Sequence, residues 1–163
     1  MPNTTGSKDE IFLGIDPGLT GALAILYGDT LVLHDCPTMA AGKGDRRTYD
    51  PVGMLALVAT AKVGRGHVHA IIEYPNPAAP HFSGLAAASL GECLGLWRMA
   101  LVAQGIGYEL VAPAKWKRAM GLLGKGKEAS RAKAMELWPS MAPWFKLVKH
   151  DGRAEAALLA EFG

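Results

Sequence analysis

The chain alternates apolar runs with short polar breaks, and two of the runs stop on an acid. Residues 10–16 (EIFLGID) stay apolar until Asp16, with a length that suits a strand. Residues 17–21 (PGLTG) make a turn, because proline presets φ and glycine admits positive φ. Residues 22–28 (ALAILYG) and 30–36 (TLVLHDC) read as two more strands, with Gly28-Asp29 as the tight reversal. These three predict an antiparallel meander starting at residue 10. Residues 66–74 (GHVHAIIEY) predict a fourth strand that delivers Glu73, and 106–112 (IGYELVA) predict a fifth.

Helices fall between and after these strands. Residues 37–50 form a polar loop with Lys43, Arg46 and Arg47, and Asp50-Pro51 then supplies an N-cap and a first helical position. Three prolines exclude regular structure over 75–84. Ser83 caps a long helix rich in small residues, from Gly84 to about Ala103. Pro113 opens a short helix, 121–127 is a glycine loop, and Ser130 lies early in a helix that ends at Trp138-Pro139. After a loop with Pro143, the chain from His150 onward reads as a last helix. A meander followed by alternating helix and strand predicts an α/β fold: a mixed five-stranded sheet, antiparallel meander plus parallel strands, flanked by helices. Residues 1–9 read as a disordered polar tail and 10–163 as one domain.

Composition adds three points. The polar first nine residues lack the apolar middle of a secretion signal, and no apolar run approaches the ~18 residues that cross a bilayer. With Cys36 and Cys93 far apart and outside any metal-type spacing, this predicts reduced, buried thiols in a cytoplasmic setting; a phage or bacterial source is compatible with that, and an organelle is the other setting. Net charge is only +2, but residues 1–112 carry 7 basic and 10 acidic side chains while 113–153 carry 10 basic and 3 acidic. Such a basic segment, interleaved with Trp116, Trp138, Trp144 and Phe145, is either the footprint of a polyanion partner or a solvated lysine-rich face.

The chemistry rests on where the acids fall. Asp16 and Glu73 end two strands, and neighbouring strand ends in an open α/β sheet share the edge where ligands bind. Asp151 and Glu155 are four apart at the start of the last helix, so they share a face. Singly, Asp16 reads as a turn residue, Asp151 as an N-cap and Glu155 as a solvated side chain. Glu73 is harder to explain that way, because burying an unpaired charge beside VHAII is costly. Converging carboxylates repel unless a cation neutralises them, and Mg²⁺ or Mn²⁺ prefers such oxygens. Two ions about 3.5–4 Å apart clamp the attacking and leaving oxygens of a phosphodiester.

The segment 12–26 (FLGIDPGLTGALAIL) resembles the first strand and turn of RuvC-type resolvases, a family of the ribonuclease H-like superfamily. Residues 70–75 (AIIEYP), 83–98, 108–122 (YELVAPAKWKRAMGL) and 149–160 (KHDGRAEAALLA) resemble, in order, its second acidic strand, interface helix, basic helix and closing acidic helix. The resemblance implies a ribonuclease H-like fold and a homodimer, joined through the helix at 84–103, that cuts four-way DNA junctions with paired symmetric nicks. It implies two Mg²⁺ or Mn²⁺ ions held by Asp16, Glu73 and Asp151, with Glu155 the fourth ligand. This sequence departs from the family in spacing its last two acids by four and in using Glu for the last. His150 is a candidate for proton transfer or a plain surface histidine.

Lys115, Lys117, Arg118, Lys125, Lys127, Arg131 and Lys133 are candidates for phosphate contacts, and Phe82, on the proline-rich loop, for a wedge between junction bases. For Trp97, Trp116 and Trp138, at helical positions beside apolar residues, burial in the core is the expectation. Other readings are a nuclease of the same fold acting on forks, flaps or RNA–DNA hybrids, and a junction-binding protein with impaired catalysis. A nucleotide-cleft ATPase built on the same turn is disfavoured, because the chain is too short for two such domains. No membrane partner is expected.

Overall fold

The computed structural model describes residues 10–62, 66–76 and 78–163; the tail expected at 1–9 lies outside the described residues. Strict alternation along β1 (Glu10–Asp16) decides what each face of the molecule holds. Ile11, Leu13 and Ile15 point into one apolar cluster, whereas Phe12 and Gly14 lie on the opposite face, against a second. The strand is buried on both sides, as a central strand must be.

β1 pairs antiparallel with β2 (Ala22–Tyr27), which pairs antiparallel with β3 (Thr30–Asp35). The polar loop after the meander folds into a small antiparallel hairpin, β4 (Thr38–Ala40) and β5 (Arg47–Tyr49), so its expected irregularity is corrected. Asp50 Oδ1 accepts the Gly53 N–H at 3.0 Å and opens α1 (Pro51–Lys62). β6 (His67–Glu73) then runs parallel to β1, completing a crossover. Ser83 caps α2 (Gly84–Ala103) by accepting the Ala86 N–H, and β7 (Gly107–Val111) adds itself parallel to β6. The sheet order is β3-β2-β1-β6-β7, the mixed five-stranded arrangement that the sequence predicts.

α1 and α2 cover one face of this sheet. α2 is a 20-residue helix whose length and mean hydropathy of 1.4 would suffice to cross a membrane, contrary to the expectation that no stretch comes close. Its leucines and alanines raise the average, but small and polar residues break them up, so no run of large apolar residues forms. The helix sets Leu90, Cys93, Leu94, Trp97 and Leu101 on the sheet instead.

The other face is covered by α6 (Asp151–Phe162), backed by α3 (Pro113–Ala119), α4 (Lys127–Leu137) and a short α5 (Ala142–Phe145). α6 can sit this close because of two glycines. A Cβ on Gly14 would overlap the Ala156 carbonyl oxygen and Ala160 backbone, and one on Gly152 would overlap the Thr20 carbonyl. The alanines at 154, 156, 157 and 160 continue the flush contact, burying a helix that carries an acid in its middle.

Candidate metal centre

Parallel register sets the first two carboxylates side by side. Ile15 lies opposite Ile72, so the next residues, Asp16 and Glu73, end adjacent strands. Paired residues project to the same face, and here that face is covered by α6. Glu155 enters from α6 one turn inside its start. The three carboxylates bring oxygens within 4.8 Å of one another, with Glu73 7% and Glu155 5% exposed.

The site resists holding three bare charges. Lost hydration, and then the charges of Glu73 and Glu155, hold the Asp16 carboxyl well above its ordinary value, while Lys127 and Lys117 pull it down. Burial and Glu155 likewise raise Glu73, opposed by a hydrogen bond from Trp116 and by Lys117 and Lys127. Burial works to lower Lys117, yet its bond to Glu155 and the neighbouring acids outweigh this and raise it. Lys117 Nζ lies 3.0 Å from Glu155 Oε1, but that buried oxygen makes no well-formed hydrogen bond among the described residues. A cluster of acidic oxygens, one of them short of a donor, suits a hard divalent cation.

The turn after Asp16 is fastened from behind by the two cysteines. Cys93 Sγ accepts the Gly18 N–H at 3.2 Å, and the Cys36 N–H donates to the Gly21 carbonyl at 2.9 Å. Both thiols are free and buried. Trp116, expected only as core, is fully buried but also donates its indole N–H to Glu73 Oε2 at 2.6 Å. Only the Trp-Lys pair at 116–117 hinted at this: α3 turns one residue to Glu73 and the next to Glu155.

Asp151 is not brought into the cluster. Its carboxylate pairs with Arg131 of α4, and of the four expected acids it is Asp16, Glu73 and Glu155 whose oxygens gather. The four-residue spacing puts both acids on one face, but a turn of helix separates them along its axis. His150 is neither at the surface nor in the cluster. It is buried, and its Nδ1 accepts the Leu147 N–H at 3.3 Å. Burial, then Arg153 and Lys149, lowers its pKa.

The candidate DNA cations divide. Lys115 pairs with Glu109 at 2.8 Å and Lys133 with Glu136 at 2.8 Å, Arg131 holds Asp151, and Lys117 faces Glu155. Arg118, Lys125 and Lys127 are exposed and have no ion-pair partner among the described residues. Phe82 is half-buried, packing on the α2 side of the core with the His81 ring 4.4 Å away. Arg153 makes a two-pronged bond to Asp35 that ties α6 to β3.

A mixed five-stranded sheet of order β3-β2-β1-β6-β7 flanked by helices on both faces is a ribonuclease H-like fold. Two solved structures share it. A structure of Thermus thermophilus RuvC aligns with a TM-score of 0.58 and 17% identity, covering 93% of each chain. The same organism's RuvC in complex with Holliday junction substrate aligns with a TM-score of 0.60 and 16% identity, covering 94% of this chain and 91% of that one. In sequence, the chain is 34% identical over 94 residues to a chloroplastic Holliday junction resolvase, MOC1, of Chlamydomonas reinhardtii. That match takes in 57% of this chain and spans about a tenth of the relative's length, at 10%. No family model matches the chain.

Proposed function

We propose that this chain is a structure-specific endonuclease that resolves four-way DNA junctions by divalent-metal-dependent phosphodiester hydrolysis. The observation that carries the reading is the cluster of half-buried Asp16 with buried Glu73 and Glu155 at a sheet edge, flanked by Lys117 and Lys127. Asp16, Glu73 and Glu155 would hold Mg²⁺ or Mn²⁺, and two ions there would supply an activated water and stabilise the leaving oxygen. Asp151 is the further candidate ligand, and it serves only once Arg131 releases it.

The protein's own residues prepare this chemistry. Trp116 fixes the rotamer of Glu73, and the alanine surface of α6 excludes water from behind the carboxylates. Lys127 lies near enough to act on Asp16, and with the exposed Arg118 and Lys125 it binds phosphates. The junctions cut by the relative named above, and the junction held by the solved RuvC complex, support a four-way substrate. Paired symmetric nicks require two copies. α2 supports a homodimer: Met99 and Val102 are exposed along it, on a helix whose small residues let a twin helix approach closely. Cytoplasm or organelle is left to the compartment of its host, since that relative is chloroplastic.

The test compares four-way junctions, forks, linear duplex and RNA–DNA hybrid, each with Mg²⁺, Mn²⁺ or chelator. Paired nicks on the junction alone, dependent on metal, are expected. Preferential cutting of hybrid or fork would move the substrate, and tight junction binding without cutting in either metal would leave a binding protein.

A further inference from the structure

The hairpin β4–β5 belongs to neither the metal centre nor the basic segment after residue 113, yet it concentrates charge. Three of the seven basic residues among 1–112 fall within five positions, Lys43, Arg46 and Arg47. The loop is closed by the Ala41 N–H donating to the Arg46 carbonyl at 2.9 Å. Arg47 is committed to Thr38, bonding its hydroxyl and carbonyl, so it stiffens the base of the hairpin. Lys43 and Arg46 are exposed and have no ion-pair partner among the described residues.

The hairpin meets α2 where the Tyr49 and Ser89 hydroxyls lie 3.1 Å apart, and a groove of about 520 Å³ there is lined by Leu19, Arg46, Tyr49, Leu85 and Ser89. Leu19 is the link to the chemistry. It lies three residues after Asp16, in the turn that leaves the first metal-binding strand. The groove therefore reaches the turn that follows Asp16 from the α2 side of the sheet, while the carboxylates themselves face α6, with Lys117 beside Glu155. Its lining is mostly apolar, with the cations Arg46 and Arg47 and one acid, Glu92, among it. An apolar lining with cations among it fits a sugar–phosphate strand, whose sugars are apolar and whose phosphates are anionic.

We propose that this groove and the hairpin cations Lys43 and Arg46 hold the DNA strand where it continues past the metal centre, so that substrate is gripped on both sides of the scissile phosphate. The inference rests on the nuclease reading and adds a second contact surface to it. Its test measures the salt dependence of four-way junction binding in chelator, where no cleavage occurs. K43A/R46A should lower the slope of log K against log salt by about two, roughly one per phosphate lost. L85E, which puts a negative charge on the exposed wall without touching the hairpin, should weaken binding at least tenfold at low salt. Mn²⁺ binding and the melting temperature should match wild type in both variants. An unchanged slope in K43A/R46A, with wild type binding normally, overturns the groove assignment alone. A wild-type protein that binds Mn²⁺ but no branched DNA overturns the nuclease reading and the groove together.

Discussion

Asp16→Asn should abolish metal-dependent cutting and, at the same time, make the metal-free protein more stable. Three carboxylate oxygens lie within 4.8 Å of one another on buried or half-buried residues. Two full charges at that separation repel by about 3.5 kcal/mol at an effective dielectric of ~20. Protonation and the cations of Lys117 and Lys127 already relieve part of this, leaving a net gain of about 2 kcal/mol when one charge is removed. For a chain of this size that is a rise of ~4–8 °C in melting temperature. The sign follows from the raised values of Asp16 and Glu73. Their protonation favours the folded state, so the site costs nothing below the usual carboxylate range and becomes costly as pH rises through the raised values. The advantage of Asp16→Asn should therefore grow as pH rises above the usual carboxylate range and fade towards pH ~4. Calorimetry in chelator across that range reads it directly. Added Mn²⁺ should stabilise wild type, by about 2.7 kcal/mol at a hundred times its dissociation constant, and the variant hardly at all. A metal-free variant that melts at or below wild type at neutral pH would refute the mutual repulsion and the shared site.

Three further outcomes follow from the same geometry. Trp116→Phe keeps a ring but removes the N–H that Glu73 accepts, so Mn²⁺ affinity, read by the paramagnetic resonance of the free ion, should fall 10–100-fold. Gly152→Ala drives a methyl into the Thr20 carbonyl and against Asp16 Oδ2 at 3.1 Å; denaturant titration should show a loss of ~1–3 kcal/mol, with weakened metal binding. Glu155→Gln should cost more Mn²⁺ affinity than Asp151→Asn, which instead strands Arg131; titration calorimetry of both variants gives the order.

The sheet and its acids were legible because alternation is a local property. An apolar run ending on an acid announces both a strand and the edge it reaches, and parallel neighbours must then bring Asp16 and Glu73 together. What escaped was long-range or small. The hairpin strands β4 and β5 are three residues each and mostly polar, too short for any period to register. Which helical acid enters the cluster depends on how far α6 slides along β1, and that is set by the fit of Gly14 under Ala156. Arg131 reads as one more cation of a basic stretch until α4 folds against α6 and presents it to Asp151. The indole N–H of Trp116 cannot be assigned a partner from a pattern that marks the residue only as apolar.

The seating of α6 against β1 also fixes when in the life of the chain the centre first exists. Asp16 and Glu73 are laid down early, but Glu155 arrives 139 residues after Asp16 and is held in place only by the docked helix. During synthesis the strands can assemble while the carboxylate set is still incomplete. The carboxylate set is thus completed only when α6 docks, and a chain stalled short of α6 is a sheet without it.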